Sequence, residues 1–181
     1  MRYIKTVKLK DGIDCIIRNG TEDDAKAVLD IFKKTHKQTD FLLSYHDEIK
    51  FTEEDEHKYL KEKAESEKEI ELLAIIENNV VGSAGIEIIG KQFKLSHRAE
   101  FGISVDKAYW GFGIGSALTA ACIDCAKKAG YSQLELNVVS ENEAAVNLYK
   151  KFGFIEFGRN PKGFKTRTSG YQEVVYMRLE L

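Results

Sequence analysis

The sequence has a single proline, Pro161, and no serine- or glycine-rich tract, so nothing in it reads as a linker between domains. No apolar run is long enough to cross a bilayer, and the opening MRYIKTVKLK lacks the apolar core of a secretory signal. No membrane association is expected, and the cytoplasm is the expected compartment. Cysteine is scarce. Cys15, Cys122 and Cys125 make an odd set with no disulfide framework. Cys122 and Cys125 form a CxxC, but it falls inside an apolar helical pattern with no second ligand pair, so packing is expected of it rather than metal or redox chemistry. Neither sign of charge is in excess. A formal net charge of −2, with 31% charged residues, argues against an electrostatic nucleic-acid binder. At 181 residues and 43% hydrophobic content, the chain suits one domain, residues 1–181, with a full core.

The patterns present are those of an α/β protein. IKTVKLKDGIDCIIRNG reads as a hairpin turning at Asp11-Gly12. Thr21, with Asp24 in the first turn, opens a helix to about Lys37 whose apolar stripe is Ala27, Val28, Ile31 and Phe32. Thr52 caps a second helix to about Ser66, and its acidic first turn suits the positive end of the helix dipole. EIELLAIIEN, NVVGSAGIEIIG and LSHRAEFGISV are strands, the last ending near Val105. SALTAACIDCAKKAG is a helix with the stripe Leu118, Ala121, Cys122 and Cys125, closed by Gly130. QLELNVV alternates as a strand, and Ser140 and Glu143 have capping-box spacing at the start of a helix that runs to Gly153. FIEFGRN and YQEVVYMRLEL close the chain as strands.

One stretch needs a chemical explanation. YWGFGIGSAL, residues 109–118, places Gly111, Gly113 and Gly115 between a strand and a helix. A dinucleotide fingerprint fails, because Ser116 or Leu118 stands where its third glycine belongs. A Walker loop fails for want of Gly-Lys-Ser/Thr. What remains is a loop that can turn backbone N–H groups toward an anion beside a helix start, or a plain structural turn.

The downstream sequence weighs on that choice. SENEAAVNLYKKFGF, residues 140–154, carries Asn142, Ala145, Leu148, Tyr149, Lys151, Gly153 and Phe154. With the glycine loop it resembles the GNAT superfamily of acetyl-CoA-dependent N-acyltransferases. That family's later signature, Asn-x-x-Ala-x-x-Leu-Tyr-x-Lys-x-Gly-Phe, is complete here. Its loop pattern, Arg/Gln-x-x-Gly-x-Gly/Ala, is met by Gly113 and Gly115, with Trp110 in place of the leading Arg or Gln. The resemblance covers residues 95–181, with the acyl-CoA motifs in 95–154, and leaves about 36–66 as a variable acceptor segment. It implies a mixed, mostly antiparallel twisted sheet of about seven strands flanked by about four helices. It leaves a homodimer open.

By that resemblance, acetyl-CoA is the co-substrate. Backbone groups of Ile103 and Val105 would pair with its pantetheine arm. The loop through Gly111, Gly113, Ile114, Gly115 and Ser116 would hold its pyrophosphate, and Asn142 would bond nearby. Tyr149 is the implied proton donor to the departing thiolate, although its place on a stripe with Ala145, Leu148 and Phe152 also reads as core packing. An amine nucleophile is mostly protonated at neutral pH and needs a base or a water path. Glu100 on the central strand and His97 at its start are the candidates. Phe41, Tyr45 and Phe164 would wall the acceptor pocket, where Asp40, Asp47 and Glu48 would attract a cationic amine. The acceptor is a small amine such as a polyamine, amino acid or aminoglycoside, or a protein N-terminus. A non-catalytic acyl-CoA sensor is the competing reading.

Overall fold

The structure, a computed structural model, describes residues 1–181. Turn chemistry sets its first pair of elements. Gly12 adopts φ +78°, which lets β1 (Ile4–Lys8) fold back on β2 (Asp14–Asn19). Thr21 and Asp24 form a reciprocal capping box around one short helical turn, and α1 then runs Ala25–Gln38. Its inward residues are Ala25, Val28, Leu29 and Ile31. The expected stripe is rotated by part of a turn, so Ala27 is exposed and Phe32 half-buried. The short 3₁₀ turn has about three residues per turn rather than about 3.6, so it winds the chain further per residue than an α-helix start would, which shifts the phase. Thr52 caps α2 (Glu53–Glu65) as expected, accepting from the Asp55 N–H at 3.3 Å.

β3 (Ile70–Ile76) and β4 (Asn79–Ile88) meet at a tight turn in which Glu77 and Asn78 both take positive φ. β5 (Arg98–Val105) follows, then α3 (Ile114–Lys128), β6 (Gln133–Val139), α4 (Glu143–Lys151), β7 (Ile155–Lys165) and β8 (Tyr171–Glu180). The strands form one sheet in the order β1-β2-β3-β4-β5-β6-β8-β7. Every pairing is antiparallel except β5 with β6. The eight strands are those read along the sequence, against about seven from the resemblance, and a hairpin stands at each end of the sheet. β7 also runs on past Asn160 to Lys165. Pro161 sits where its register shifts, on the sheet edge, where a missing N–H is tolerated.

The sheet divides the core in two. Leu72, Ala74 and Ile76 of β3 join the large cluster with Leu118, Cys122 and Cys125 of α3. Leu73 and Ile75 of the same strand turn the other way, to Val28 of α1 and Leu60 of α2. Fully burying each such leucine is worth about 1.5–3 kcal/mol relative to leaving it exposed. All three cysteines are buried packing residues. No helix is long and apolar enough to cross a membrane.

Candidate active site

The single parallel pair opens partway along its length. β5 and β6 pair at Arg98–Gln133, Ala99–Leu134 and Glu100–Glu135 and no further, although the strands continue to Val105 and Val139. The Asp106 N–H donates to the Val81 carbonyl at 2.9 Å, which fixes the alternation of the β4–β5 ladder. By that alternation Phe101, Ile103 and Val105 turn their backbone N–H and C=O groups away from β4, into the opening. Backbone polar groups there invite an extended partner laid in as an added strand. Trp110 already meets one of them: its indole N–H donates to the Val105 carbonyl at 2.8 Å. The residue that departs from the family pattern thus closes the end of β5.

The glycine loop lies just beyond. Asp106, almost fully buried, anchors it. Its carboxylate accepts from Lys34, from Gln38 Nε2 at 2.9 Å and from the Ala108 N–H at 3.2 Å, tying the end of α1 to the end of β5. These bonds hold its carboxyl below the usual range against the effect of burial. Gly111 and Gly113 take φ +85° and +101°, conformations that a side chain would strain. Gly113 is the N-cap of α3 and offers no side-chain cap, and no acidic residue stands in the first turn. The N–H groups of Ile114, Gly115 and Ser116 therefore begin the helix without side-chain partners, at its positive end. A Cβ on Gly115 would lie 3.3 Å from Leu148, so a small residue lets α3 start close against α4.

α4 carries the phenol. The expected cap at Ser140 is displaced. Ser140 still donates its N–H to the Glu173 carbonyl of β8, so the helix cannot open until Asn142, whose Oδ1 accepts from the Ala145 N–H at 3.3 Å. Capping engages the Asn142 oxygen and leaves its amide N–H groups as donors. Tyr149 is 6% exposed and is the one buried residue of α4. Its ring meets Phe101 edge-on at 5.9 Å and 88°, and lies 5.8 Å from Phe154. Burial pushes the phenol above its ordinary pKa, so it stays protonated across the neutral range.

Glu100 stands on the other face, where β5 and β6 last touch. Asn137 Nδ2 donates to its Oε1 at 3.2 Å. Partial burial, with Glu87 and Glu135 across the neighbouring strands, raises its pKa. His97 is exposed before the paired end of β5, and its carbonyl is held by the N–H groups of Ser132 and Gln133. The opening lies beyond Glu100, on the far side from His97.

Sequence reasoning brought the α1–α2 loop to the β7–β8 turn, and the two do meet. The Arg167 N–H donates to Tyr45 Oη at 2.9 Å, and its guanidinium lies 4.1 Å from the Tyr45 ring centre. The same guanidinium pairs with Asp47 at 2.7 Å and Glu48 at 3.4 Å, so these acids are neutralised within the loop rather than free for an amine. Tyr45 and Phe164 line a cavity of about 30 Å³, room for a water and not for an acceptor, and Phe41 stands half-buried outside its lining. Sequence reasoning missed Asp106, Asn137 and the Glu71–Tyr59–Glu87 group. Asn137 and the Glu71–Tyr59–Glu87 group act through partners on other elements and carry no local signature, whereas Asp106 also caps its own turn through the Ala108 N–H, a local signal in the sequence.

This is an α/β protein in which a splayed parallel pair, a glycine loop and an uncapped helix start bring free backbone N–H groups together at a strand opening. The chain belongs to the acetyltransferase (GNAT) family, whose model matches residues 29–154. An Escherichia coli L-amino acid N-acetyltransferase is 34% identical over 108 residues, 59% of this chain and 65% of that protein. The chain thus matches less than two thirds of that relative's length. A GNAT-family acetyltransferase from Streptococcus pneumoniae superposes with a TM-score of 0.89 at 28% identity, covering 92% of this chain and 99% of that one. A Salmonella typhimurium protein solved with its cofactor acetyl-CoA shares the fold, with a TM-score of 0.81 at 19% identity over 91% of this chain and 92% of that one.

Proposed function

We propose that the protein is an N-acetyltransferase that moves an acetyl group from acetyl-CoA to a primary amine by direct attack in a ternary complex. The observation that carries this reading is the placement of Tyr149 and Glu100 on opposite faces of the sheet at the β5–β6 opening. A thioester lying in that opening has a proton donor on one side and a carboxylate on the other. The family membership and the acetyl-CoA of the Salmonella protein support the choice of co-substrate.

In this reading the pantetheine arm pairs with Ile103 and Val105, and Asn142 donates to it from the start of α4. The N–H groups through Gly111, Gly113, Ile114, Gly115 and Ser116 hold the pyrophosphate. The amine nitrogen attacks the thioester carbon while Glu100, directly or through water, accepts the proton the amine loses. A backbone N–H near Ile103 meets the oxyanion. The carbon–sulfur bond breaks, and Tyr149 gives its proton to the thiolate. The buried cysteines are out of reach of this chemistry, and none of the steps calls on a metal. The work is placed in the cytoplasm. The acceptor is a small amine or a protein N-terminus, and the amino-acid acceptor in the name of the E. coli relative supports an amine.

Thiol release from acetyl-CoA, measured across polyamines, amino acids, aminoglycosides and N-terminal peptides, tests the reading. Amine-dependent release is the expected result. Tight acetyl-CoA binding with no release from any amine would replace it with the sensor reading.

A further inference from the structure

The sheet face that carries Glu100 has a feature the roles above leave unused. β4 and β5 pair Gly85 with Gly102, so neither strand puts a side chain over this step. Along the strands it is bounded by Glu87 with Glu100 at one end and Ser83 with Ser104 at the other. A Cβ built on Gly102 meets nothing within 4 Å. One built on Gly85 would collide with Glu71 Oε2, so the Glu71 carboxylate lies over the sheet only because Gly85 leaves room for it. The result is a slot with a bare backbone floor and a carboxylate wall, beside the residues that face the β5–β6 opening.

The charge around this slot is only partly compensated: Ser83 bonds the Glu71 carboxylate, and Lys63 lies near it. Tyr59 Oη lies 3.0 Å from Glu87 and 3.4 Å from Glu71, one hydroxyl proton between two carboxylates. Lys63 pairs with Glu87 at 3.0 Å and with Glu69 at 3.2 Å. Arg98 is held by Glu135. Behind them Glu56 is only 7% exposed, has no ion-pair or hydrogen-bond partner for its side chain, and sits near enough to Glu71 and Tyr59 to raise both their pKa values. Lys63 is thus the one cation set among Glu56, Glu69, Glu71, Glu87 and Glu100. One ammonium among these carboxylates leaves negative charge in excess, and a cation seated in the slot is drawn to it.

We propose that the Gly85–Gly102 slot is the acceptor site and that it selects an unbranched aliphatic diamine or polyamine. The reacting amine lies on the glycine floor beside Glu100, and the distal ammonium is drawn to Glu71 and Glu87. An amine with a carboxylate on the adjacent carbon, as in an amino acid, sets like charge against the same wall. The turnover readout rests on the acetyl-transfer reading, whereas the binding readout does not.

Matched acceptors that differ by that one carboxylate test the proposal: putrescine against ornithine, and cadaverine against lysine. With acetyl-CoA and the full chain, each diamine is expected to give a kcat/KM at least about 10-fold above its amino acid. Glu71→Gln and Glu87→Gln are expected to raise the diamine KM about 5- to 10-fold while moving the acetyl-CoA KM less than about twofold. Gly102→Ala fills open space without touching its neighbours, so it folds, and is expected to weaken the diamine about 10-fold. Calorimetric titration of putrescine into the CoA-saturated protein reads binding without turnover. Amino acids or N-terminal peptides used as well as diamines overturn the slot and leave acetyl transfer standing. Putrescine binding that Glu71→Gln weakens, with no thiol released, supports the slot and overturns the transfer. Putrescine binding unmoved by all three variants overturns the slot.

Discussion

The two faces of this sheet lie one strand's thickness apart and are built from opposite chemistry. Against α3 and α4 the residues of β5 are Ala99, Phe101, Ile103 and Val105, packed on an apolar cluster that includes Tyr149. On the other face the same strand presents Arg98, Glu100, Gly102 and Ser104, among carboxylates from β3, β4 and β6. Both faces raise the pKa of the acid they hold, and burial is the largest cause on each. The consequences are opposite. A raised phenol pKa keeps Tyr149 a proton donor, while a raised carboxylate pKa makes Glu100 a better proton acceptor once it is ionised. Strand alternation turns Phe101 and Glu100 to opposite faces, and α4 packs Tyr149 on the Phe101 side, so the phenol and the carboxylate stand apart.

Substitutions on one face at a time test this division. The largest effect is expected from Tyr149→Phe, which keeps the ring packing and removes the proton. Turnover falls about 100- to 1,000-fold, with the acetyl-CoA KM within about twofold of wild type in steady-state assays. Unchanged turnover would confine Tyr149 to the core. Glu100→Gln on the opposite face lowers kcat/KM about 10- to 100-fold. It also changes the pH profile. In the wild type the rate falls as pH drops through the raised Glu100 pKa, because the carboxylate protonates. In the variant that limb is gone, and only the titration of the amine itself, near pH 9–10, remains. A limb kept at full amplitude removes Glu100 from the base role.

Gly113→Ala perturbs the cofactor side alone. At φ +101° the added methyl strains the backbone, costing about 1–2 kcal/mol and weakening acetyl-CoA about 10-fold in a binding titration. Equal loss of acceptor binding would show that the faces are not independent. The smallest effect is expected from Glu71→Gln in thermal melts without ligand. Burial pushes Glu71 up to about 7. A carboxyl whose folded-state pKa is raised contributes stability below its ordinary range, and this is lost as pH rises through the folded value. The wild-type Tm should therefore decline between about pH 5 and 8, and the glutamine variant should flatten that decline. A slope unchanged by the substitution would place the titration elsewhere.

The glycine loop and α4 were legible because their signals are local. The glycines mark the loop before α3, and the residues from Asn142 to Lys151 mark α4. The alternation of β5 placed Glu100 opposite Phe101 before any contact was known. The errors were also local in kind. A short helical turn before α1 changed the phase of its stripe, and a strand pairing that persists to Ser140 pushed the α4 cap to Asn142. The loop between α1 and α2 was far less legible. Arg167 neutralises Asp47 and Glu48 from 120 and 119 positions along the chain, a distance no window of sequence spans.

The sequence by itself determined the order of elements, the glycine loop and the two-faced character of β5, because backbone dihedrals and side-chain periodicity act over a few residues. Only the tertiary structure decided where β5 and β6 part, that Gly85 meets Gly102, and that Glu56, Glu71, Glu87 and Glu100 share one region with Lys63. Those facts depend on strand register and on the helix laid over the strands. Register is fixed by packing summed across the whole sheet, and no short stretch of the chain carries it.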